Sequence, residues 1–427
     1  MKDEPQQSVK RGAASRLAST VRKLRVWGLR GAVSWAQIRA EWALDRRDVL
    51  RAARRRPVPA AGPELGVTLA APLSLKYSNS KTARDFAWGL RAAGLPFQTF
   101  DTNRRPEIPP QDCAPILTPR GDFDPRRFTH VVEMFRSPFP DGLAPRRARI
   151  AFWEGETGML DVFPYLASPH PVIAMSDFNA EWFRRELPAS TPVFKIVYPL
   201  PLDVSGFAPQ DETRARFGIP PDAFAVFYNF DLGAWGRKNP EAAVRAFALA
   251  FRGDHSARLV LKVKWAERFR ARAADLVRIA AAEGVGDRLV VVDGYLSRAD
   301  LHGLAAACDV YFSPHRAEGF GIGIAEAMLL GKPVVATDWS ATTEFCRPEH
   351  CFPVPCRLVP VKPGEYFESM RRWAEIDVDA AADALRRLRA DAALRGALGA
   401  RARGFVLSHF SPAAFRADVE RFLQCTT

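Results

Sequence analysis

The chain has no run of about twenty consecutive apolar residues, the length a helix needs to cross a bilayer; its longest apolar runs are strand-sized. Its N-terminus, MKDEPQQSVKRG, has no apolar segment of the kind that marks a secretory signal. Six cysteines in 427 residues are too few and too scattered for a disulfide framework. Cys346, Cys351 and Cys356 do cluster around His350. Their four-residue spacings, stiffened by Pro348, Pro353 and Pro355, depart from the C-x2-C of zinc sites, so they read as buried or incidental thiols. H-E-x-x-H, G-x-S-x-G and G-x-x-x-x-G-K-[ST] are all absent. Asp122-x-Asp124 sits in turn chemistry, and Asp377-x-Asp379 precedes a helix whose N-cap reads as Asp379, so neither pair is expected to hold a metal. A cytoplasmic protein with no metal is the expectation.

Positive charge is plentiful but confined. Of a formal net charge of +13, residues 1–56 carry +10, from fifteen Lys/Arg and five Asp/Glu. In SRLASTVRKLRVWGLRGAVSWAQIRAEW (15–42), Leu17, Val21, Leu24, Trp35, Ile38 and Trp42 recur at helical steps, interrupted by Gly28 and Gly31. Arg16, Arg22, Lys23, Arg25 and Arg30 lie largely off that stripe. A basic helix with tryptophan on its apolar side suits an anionic membrane surface, which predicts a peripheral location on the inner face of the cell membrane. The alternative is a helix packed on the protein's own first domain. Nucleic acid is not expected as a partner, and the sequence sets no oligomeric state.

RRRPVPAAGPE (54–64) ends the basic arm. Strand-like runs and helical segments then alternate, which predicts parallel α/β architecture. Strands are expected at 66–72, 129–135, 149–154, 171–176 and 192–199, with a helix over 81–94. PLPLDVSGFAP (199–209) interrupts the series, which restarts with strands at 225–231, 258–265, 288–294, 309–314 and 333–337. The expected organisation is an arm and linker (1–62), a first Rossmann-like domain (63–205), a second (206–402), and a C-terminal helix (403–427) returning toward the first. Ligands in such sheets bind at the carboxyl ends of strands, and the cleft between two domains is favoured.

EGFGIGIAE (318–326) lies just past one such strand end. Gly319, Gly321 and Gly323 allow a tight turn and close approach to a ligand. A short helix expected from about Ile324 to Gly331 would offer its N-terminus to an anion such as a diphosphate. Glu326, in its first turn, would repel that anion, but its two oxygens suit a ribose diol. Glu318, on the loop, suits sugar hydroxyls. Two simpler readings stand beside this one. Glu326 only complements the helix dipole, and the glycines only form a turn; alternatively the glycines, with Asp338 some twenty residues on, form a dinucleotide fingerprint.

SPHRAEGFGIGIAEAMLLGKPVVATDWSATTEF (313–345) resembles the signature of glycosyltransferase family 4, GT-B enzymes with two glutamates separated by seven residues. FYNFDLGAWGRKNPEAAVRAFALAF (227–251) is similar to that family's phosphate-binding segment. RLVPVKPGEYFESMRRWAEIDVDAAADALRRL (357–388) resembles a subgroup active in bacterial surface-polysaccharide assembly. The resemblance implies a GT-B fold: two Rossmann-like domains facing each other across a cleft, here with the basic helical arm added.

The resemblance implies that Glu326 binds ribose and Glu318 contacts the donor sugar. The backbone at Gly319, Phe320, Gly321 and Ile322 would line the sugar diphosphate, and Lys238, with Arg237, would neutralise the leaving group. The chain departs from the family in three places. FDL (230–232) stands where an arginine is usual, KYSNSKTAR (76–84) replaces a glycine loop, with Lys81 able to add charge, and FWEGE (152–156) lacks a histidine. Trp153 and Glu154 become the candidates for the acceptor side. The implied function is transfer of a hexose, with retention, from a nucleotide diphosphate sugar to a glycan or lipid-linked glycan, without a cofactor. A non-catalytic scaffold of the same fold and a dinucleotide-dependent oxidoreductase are the alternatives.

Overall fold

The computed structural model describes residues 41–426, except 42, 57–61, 77, 109–112, 135–137, 141–142, 144–145, 163–165, 363–364 and 366–369. The membrane-type segment 15–42 therefore lies outside the described residues, save Glu41.

Helix α1 (43–55) precedes the first sheet. The first half then runs β1 (Glu64–Ala71), α2 (Ser78–Ala92), β2 (Phe97–Asp101), β3 (Phe128–Met134), β4 (Arg146–Ile150), α3 (Met159–Val162), β5 (Val172–Ala174), α4 (Asp177–Glu186) and β6 (Val193–Lys195). Its six strands pair in parallel in the order β2-β1-β3-β4-β5-β6. The sequence reading missed β2. Its middle residues are Gln98 and Thr99, polar but buried, satisfied by Thr68 Oγ1 at 2.9 Å and by the Ile116 carbonyl at 2.9 Å.

The second half runs α5 (Gln210–Arg216), β7 (Phe224–Asp231), α6 (Trp235–Lys238), α7 (Pro240–Ala250), β8 (Ala257–Lys264), α8 (Arg270–Ala282), β9 (Leu289–Val292), α9 (Arg298–Ala307), β10 (Val310–Ser313), α10 (Ile322–Leu329), β11 (Val334–Thr337) and β12 (Phe352–Val354). These strands are again all parallel, in the order β12-β11-β10-β7-β8-β9. Buried apolar runs such as Val226-Phe227-Tyr228 and Leu259-Val260-Leu261 fit strands covered on both faces.

A two-stranded antiparallel hairpin, β13 (Cys356–Pro360) and β14 (Arg372–Ile376), follows. It projects Trp373, with the neighbouring Met370, into the apolar cluster of the first half, against Trp153, Val172 and Phe183. The chain ends in α11 (Val378–Ala390), α12 (Ala392–His409) and α13 (Pro412–Cys425). Ser411 caps α13 and Pro412 occupies its first turn, which explains the sharp break after α12. α13 lies on the first half: Phe415 meets Phe86 edge-on at 5.3 Å, Phe422 meets Phe194 at 5.3 Å, and Asp418 accepts from the Val197 amide.

The arm boundary at residue 62 needs correction. α1 is an outer layer of the first half. Val49 and Ala53 are buried with Phe100, Phe123 and Phe139, and Asp45 and Asp48 pair with Arg104 and Arg120. The stripe Val49-Ala52-Ala53 supplies the helical spacing for this packing. Its basic residues Arg46, Arg47, Arg51, Arg54 and Arg55 stay exposed, and they carry the charge that made it read as arm.

Candidate active site

The site forms where the carboxyl ends of β7, β8 and β10 face α2 across the two halves. β10 ends at Ser313, and the chain loops through 314–321 into α10. Gly321 caps that helix with φ 96°, and a Cβ there would stand 2.6 Å from Thr342 Cγ2. At Gly323 a Cβ would meet Tyr311 Oη at 2.5 Å and Asn229 Oδ1 at 2.8 Å. Both positions require glycine so that the helix can start directly on the strand ends. Gly319 does not: a Cβ there would sit at ordinary contact distance, 3.5 Å from the Trp153 carbonyl. α10 begins two residues earlier than the sequence suggested, so Glu326 opens its second turn rather than its first.

Glu318 is buried beneath two cations of its own half. Arg237 Nη1 lies 3.0 Å from Oε2, and Lys238 Nζ pairs with Oε1. Burial by itself would raise the Glu318 carboxyl, but Lys238 and then Arg237 outweigh it and hold the group down at about 2. Burial pushes Lys238 below the ordinary lysine value, with Glu318 opposing. The local sequence explains the placement. α6 stops after Lys238 because Asn239 turns left-handed (φ 52°), caps α7 through the Ala242 amide, and is followed by Pro240 in the first turn. Arg237 also donates to the Ala317 carbonyl at 3.0 Å and reaches Glu154 across the cleft at 3.6 Å.

Glu326 is held from both halves. Its Oε1 lies 3.0 Å from Lys81 Nζ, on α2 of the first half, and 3.5 Å from His302 Nε2, on α9 of the second. Lys81 Nζ is also 2.6 Å from Asp85, which accepts from Tyr198 Oη at 2.7 Å. Burial opposes the charged form of Glu326, yet Lys81 and His302 carry its carboxyl well below the usual range. Arg84, on α2, is anchored to the carbonyls of Leu73 and Leu75 at 2.7 and 2.9 Å. Lys264, at the end of β8, is depressed by burial, is stabilised by Asp231, and is further depressed by Arg84 and Lys81. Together with the α10 N-terminus these groups form a cationic rim beside a buried carboxylate. Such a surface can take an anion and a neighbouring pair of hydroxyls.

The structure thus brings Glu318, Arg237 and Lys238 into one group and places Glu326 on the adjoining helix. Phe320 turns its ring away from the backbone path, stacking on Tyr198 across the halves at 4.1 Å and 15°. Ile322 begins α10. Trp153 is not available to an acceptor: it is 1% exposed, donates to the Thr157 carbonyl and packs in the cluster with Trp373. Glu154 remains at the cleft through Arg237. His315 is buried, bonded to Ser313 Oγ, Thr342 Oγ1 and the Trp339 carbonyl, and burial lowers it to about 4. Asp377, not Asp379, caps α11.

Cys346 and Cys351 are buried free thiols, and His350 bonds the Phe345 carbonyl. Among the described residues no group of three His, Cys, Asp or Glu side chains is placed to hold a metal. No described helix is long and apolar enough to cross a membrane. Sequence reasoning overlooked Asp85, Tyr198, Lys264 and His302. For Lys264 the available signal was the pair Lys262 and Lys264 at the end of the otherwise apolar run 259–263.

Residues 232–391 match the family model described as glycosyl transferases group 1. The lipopolysaccharide core biosynthesis mannosyltransferase LpsB of Rhizobium meliloti is 29% identical over 153 residues, 34% of this chain and 40% of that protein. The D-inositol 3-phosphate glycosyltransferase of Actinosynnema mirum is 32% identical over 179 residues, 40% of this chain and 42% of that protein. The chain therefore matches less than half the length of these relatives. Among solved structures, Anabaena HepE, crystallised with UDP and glucose, superimposes with a TM-score of 0.60 at 16% identity, over 84% of this chain and 100% of that one. The lipopolysaccharide glycosyltransferase WaaG does so with a TM-score of 0.56 at 16% identity, over 84% and 99%. The two facing parallel sheets are a GT-B fold, and within it residues 232–391 are similar to the glycosyl transferases group 1 family.

Proposed function

We propose that the protein transfers a hexose from a nucleotide diphosphate sugar to a glycan or lipid-linked glycan, retaining anomeric configuration and needing no metal. The observation that carries this is the pair Glu318 and Glu326, both buried and ionised on either side of the α10 N-terminus. In this reading Glu326 accepts the ribose hydroxyls, the helix end and cationic rim take the diphosphate, and Glu318 orients the sugar. Lys238 and Arg237 balance charge as the diphosphate leaves.

Both Glu318 oxygens are engaged by cations, which favours a front-face displacement over a glutamate nucleophile. The C1–O bond to the diphosphate breaks while the acceptor oxygen bonds C1 on the same face. The acceptor proton passes to a leaving phosphate oxygen. The polysaccharide class of the acceptor takes its support from the names of LpsB and WaaG. Association with an anionic membrane rests on the composition of residues 15–42, and sedimentation with phosphatidylglycerol liposomes at low and high salt, with and without residues 1–40, tests it.

A panel of nucleotide sugars, read by calorimetry and by release of the nucleoside diphosphate in EDTA, tests the main reading. Binding and turnover of at least one sugar donor are expected, with the anomeric signal of the product read by NMR. Strict dependence on added Mn²⁺ or Mg²⁺, or inversion, would overturn the mechanism. One observation favours a second, non-catalytic reading. Asp231 stands at the end of β7, in the segment where the family usually has an arginine, and donor binding without any turnover would support that reading.

A further inference from the structure

The Glu326 carboxylate has two neighbours, and only one of them can move easily. His302 is 3% exposed within α9. The Lys81 side chain is 25% exposed and reaches across from the other half, while that of Glu326 is 7% exposed. Both neighbours approach the same atom, Oε1, yet neither gives it a well-directed hydrogen bond. Lys81 also has somewhere to go: Asp85, one turn along α2, holds its Nζ at 2.6 Å and is itself fixed by Tyr198. Oε1 is itself buried, and a ribose hydroxyl and the Lys81 ammonium cannot both occupy the side of it that Lys81 now covers.

We propose that Lys81 is an exchangeable counter-ion of Glu326, displaced by the nucleotide's ribose and transferred, while still tethered to Asp85, to the diphosphate. The inference rests on the donor reading given above and assigns Lys81 a binding role of its own. In the exchange the carboxylate trades an ammonium for hydroxyl donors, and the ammonium trades a carboxylate for phosphate oxygens. No net charge is stranded, and the two halves stay bridged through the ligand. Arg84, fixed on backbone carbonyls, and Lys264, which feels Arg84, Lys81 and Glu326, add positive charge nearby, but neither is ion-paired to Glu326 as Lys81 is.

This exchange makes opposite predictions for ligands with and without phosphate. Lys81→Met removes a phosphate contact and also removes the competitor for the ribose. Affinity for whichever of UDP, GDP or ADP the parent binds should fall on the order of tenfold. Affinity for the matching nucleoside, read by ligand-observed NMR, should stay level or rise. Lys81→Arg keeps the charge and should hold most of the diphosphate affinity. Thermal melts by circular dichroism establish that both variants are folded. Parallel loss of both ligands in Lys81→Met, no change in either, or a loss in Lys81→Arg as large as in Lys81→Met would overturn the exchange while leaving the donor reading intact. A parent chain that binds none of the three diphosphates would overturn the donor reading, and the exchange with it.

Discussion

The two halves of the molecule contribute to the site in different ways. In the second half, Glu318, Arg237 and Lys238 come from neighbouring strand ends of one sheet, and both cations that hold Glu318 belong to that half. The first half offers Lys81 of α2, held by Asp85 and Tyr198 of the same half, and Glu154 after β4. Glu318 is thus held by a prebuilt cluster, whereas Glu326 depends on how the halves are seated. The Glu318 side of the site is a property of one domain, and the Glu326 side is a property of the pair.

The sharpest way to break this comparison is at the prebuilt cluster. Lys238→Ala should lower turnover by about 10²–10³, roughly 2.7–4 kcal/mol of transition-state stabilisation, with a much smaller effect on donor affinity. Single-turnover rates and calorimetry separate the two. Equal losses in both would make Lys238 an ordinary binding charge.

The first half can be probed away from the site. Deleting residues 1–56 strips α1 from Phe100, Phe123 and Phe139 and leaves Arg104 and Arg120 without Asp45 and Asp48. The buried Val49 and Ala53 side chains alone represent roughly 2–3 kcal/mol, so a melting point several degrees lower is expected. Deleting only residues 1–40 retains α1 and provides the comparison. Identical melts for the two truncations would mean that α1 adds nothing to the domain.

Glu326→Ala should cost about 1–3 kcal/mol of nucleoside diphosphate affinity, because ribose hydroxyls lose their acceptor. Glu318→Ala should leave that affinity nearly unaltered and reduce turnover instead. If both variants bind UDP or GDP as the parent does, neither glutamate touches the nucleotide.

The smallest effect expected is on acid stability. The folded Glu318 carboxyl, at about 2, lies below its ordinary 4.5. Its contribution is therefore complete above pH 4.5 and is lost as pH falls toward 2. Glu318→Gln should flatten the stability–pH curve in that interval, measured by urea melts at successive pH values. A slope equal to the parent's would show that the ion pairs add no net stability.

Legibility in the sequence followed the same division between the halves. The second half's motif was readable because loop, helix cap and glutamates are consecutive, and because Asn239-Pro240 announces the start of α7. The hairpin β13–β14 was not readable. It interrupts the α/β alternation, and its Trp373 is buried by the opposite half rather than by its own sheet. Trp153 misled for the same reason: an aromatic at a strand end reads as a binding residue until its cover is known. Lys81 could be noticed as a charge in an unusual loop, but nothing in the chain pointed it at Glu326.

The sequence by itself determined the parallel α/β alternation, the break between the two halves, and the placement of Glu318 before and Glu326 within a glycine-started helix. Hydrophobic periodicity, capping and backbone freedom are local, and they act through residues a few positions apart. Only the tertiary structure decided which cations face which carboxylate, that α1 is a layer of the first domain, and that the hairpin's Trp373 closes over Trp153. These depend on burial and on Coulombic contact between residues distant in the chain, and such partners are fixed only when the two sheets and α13 pack together.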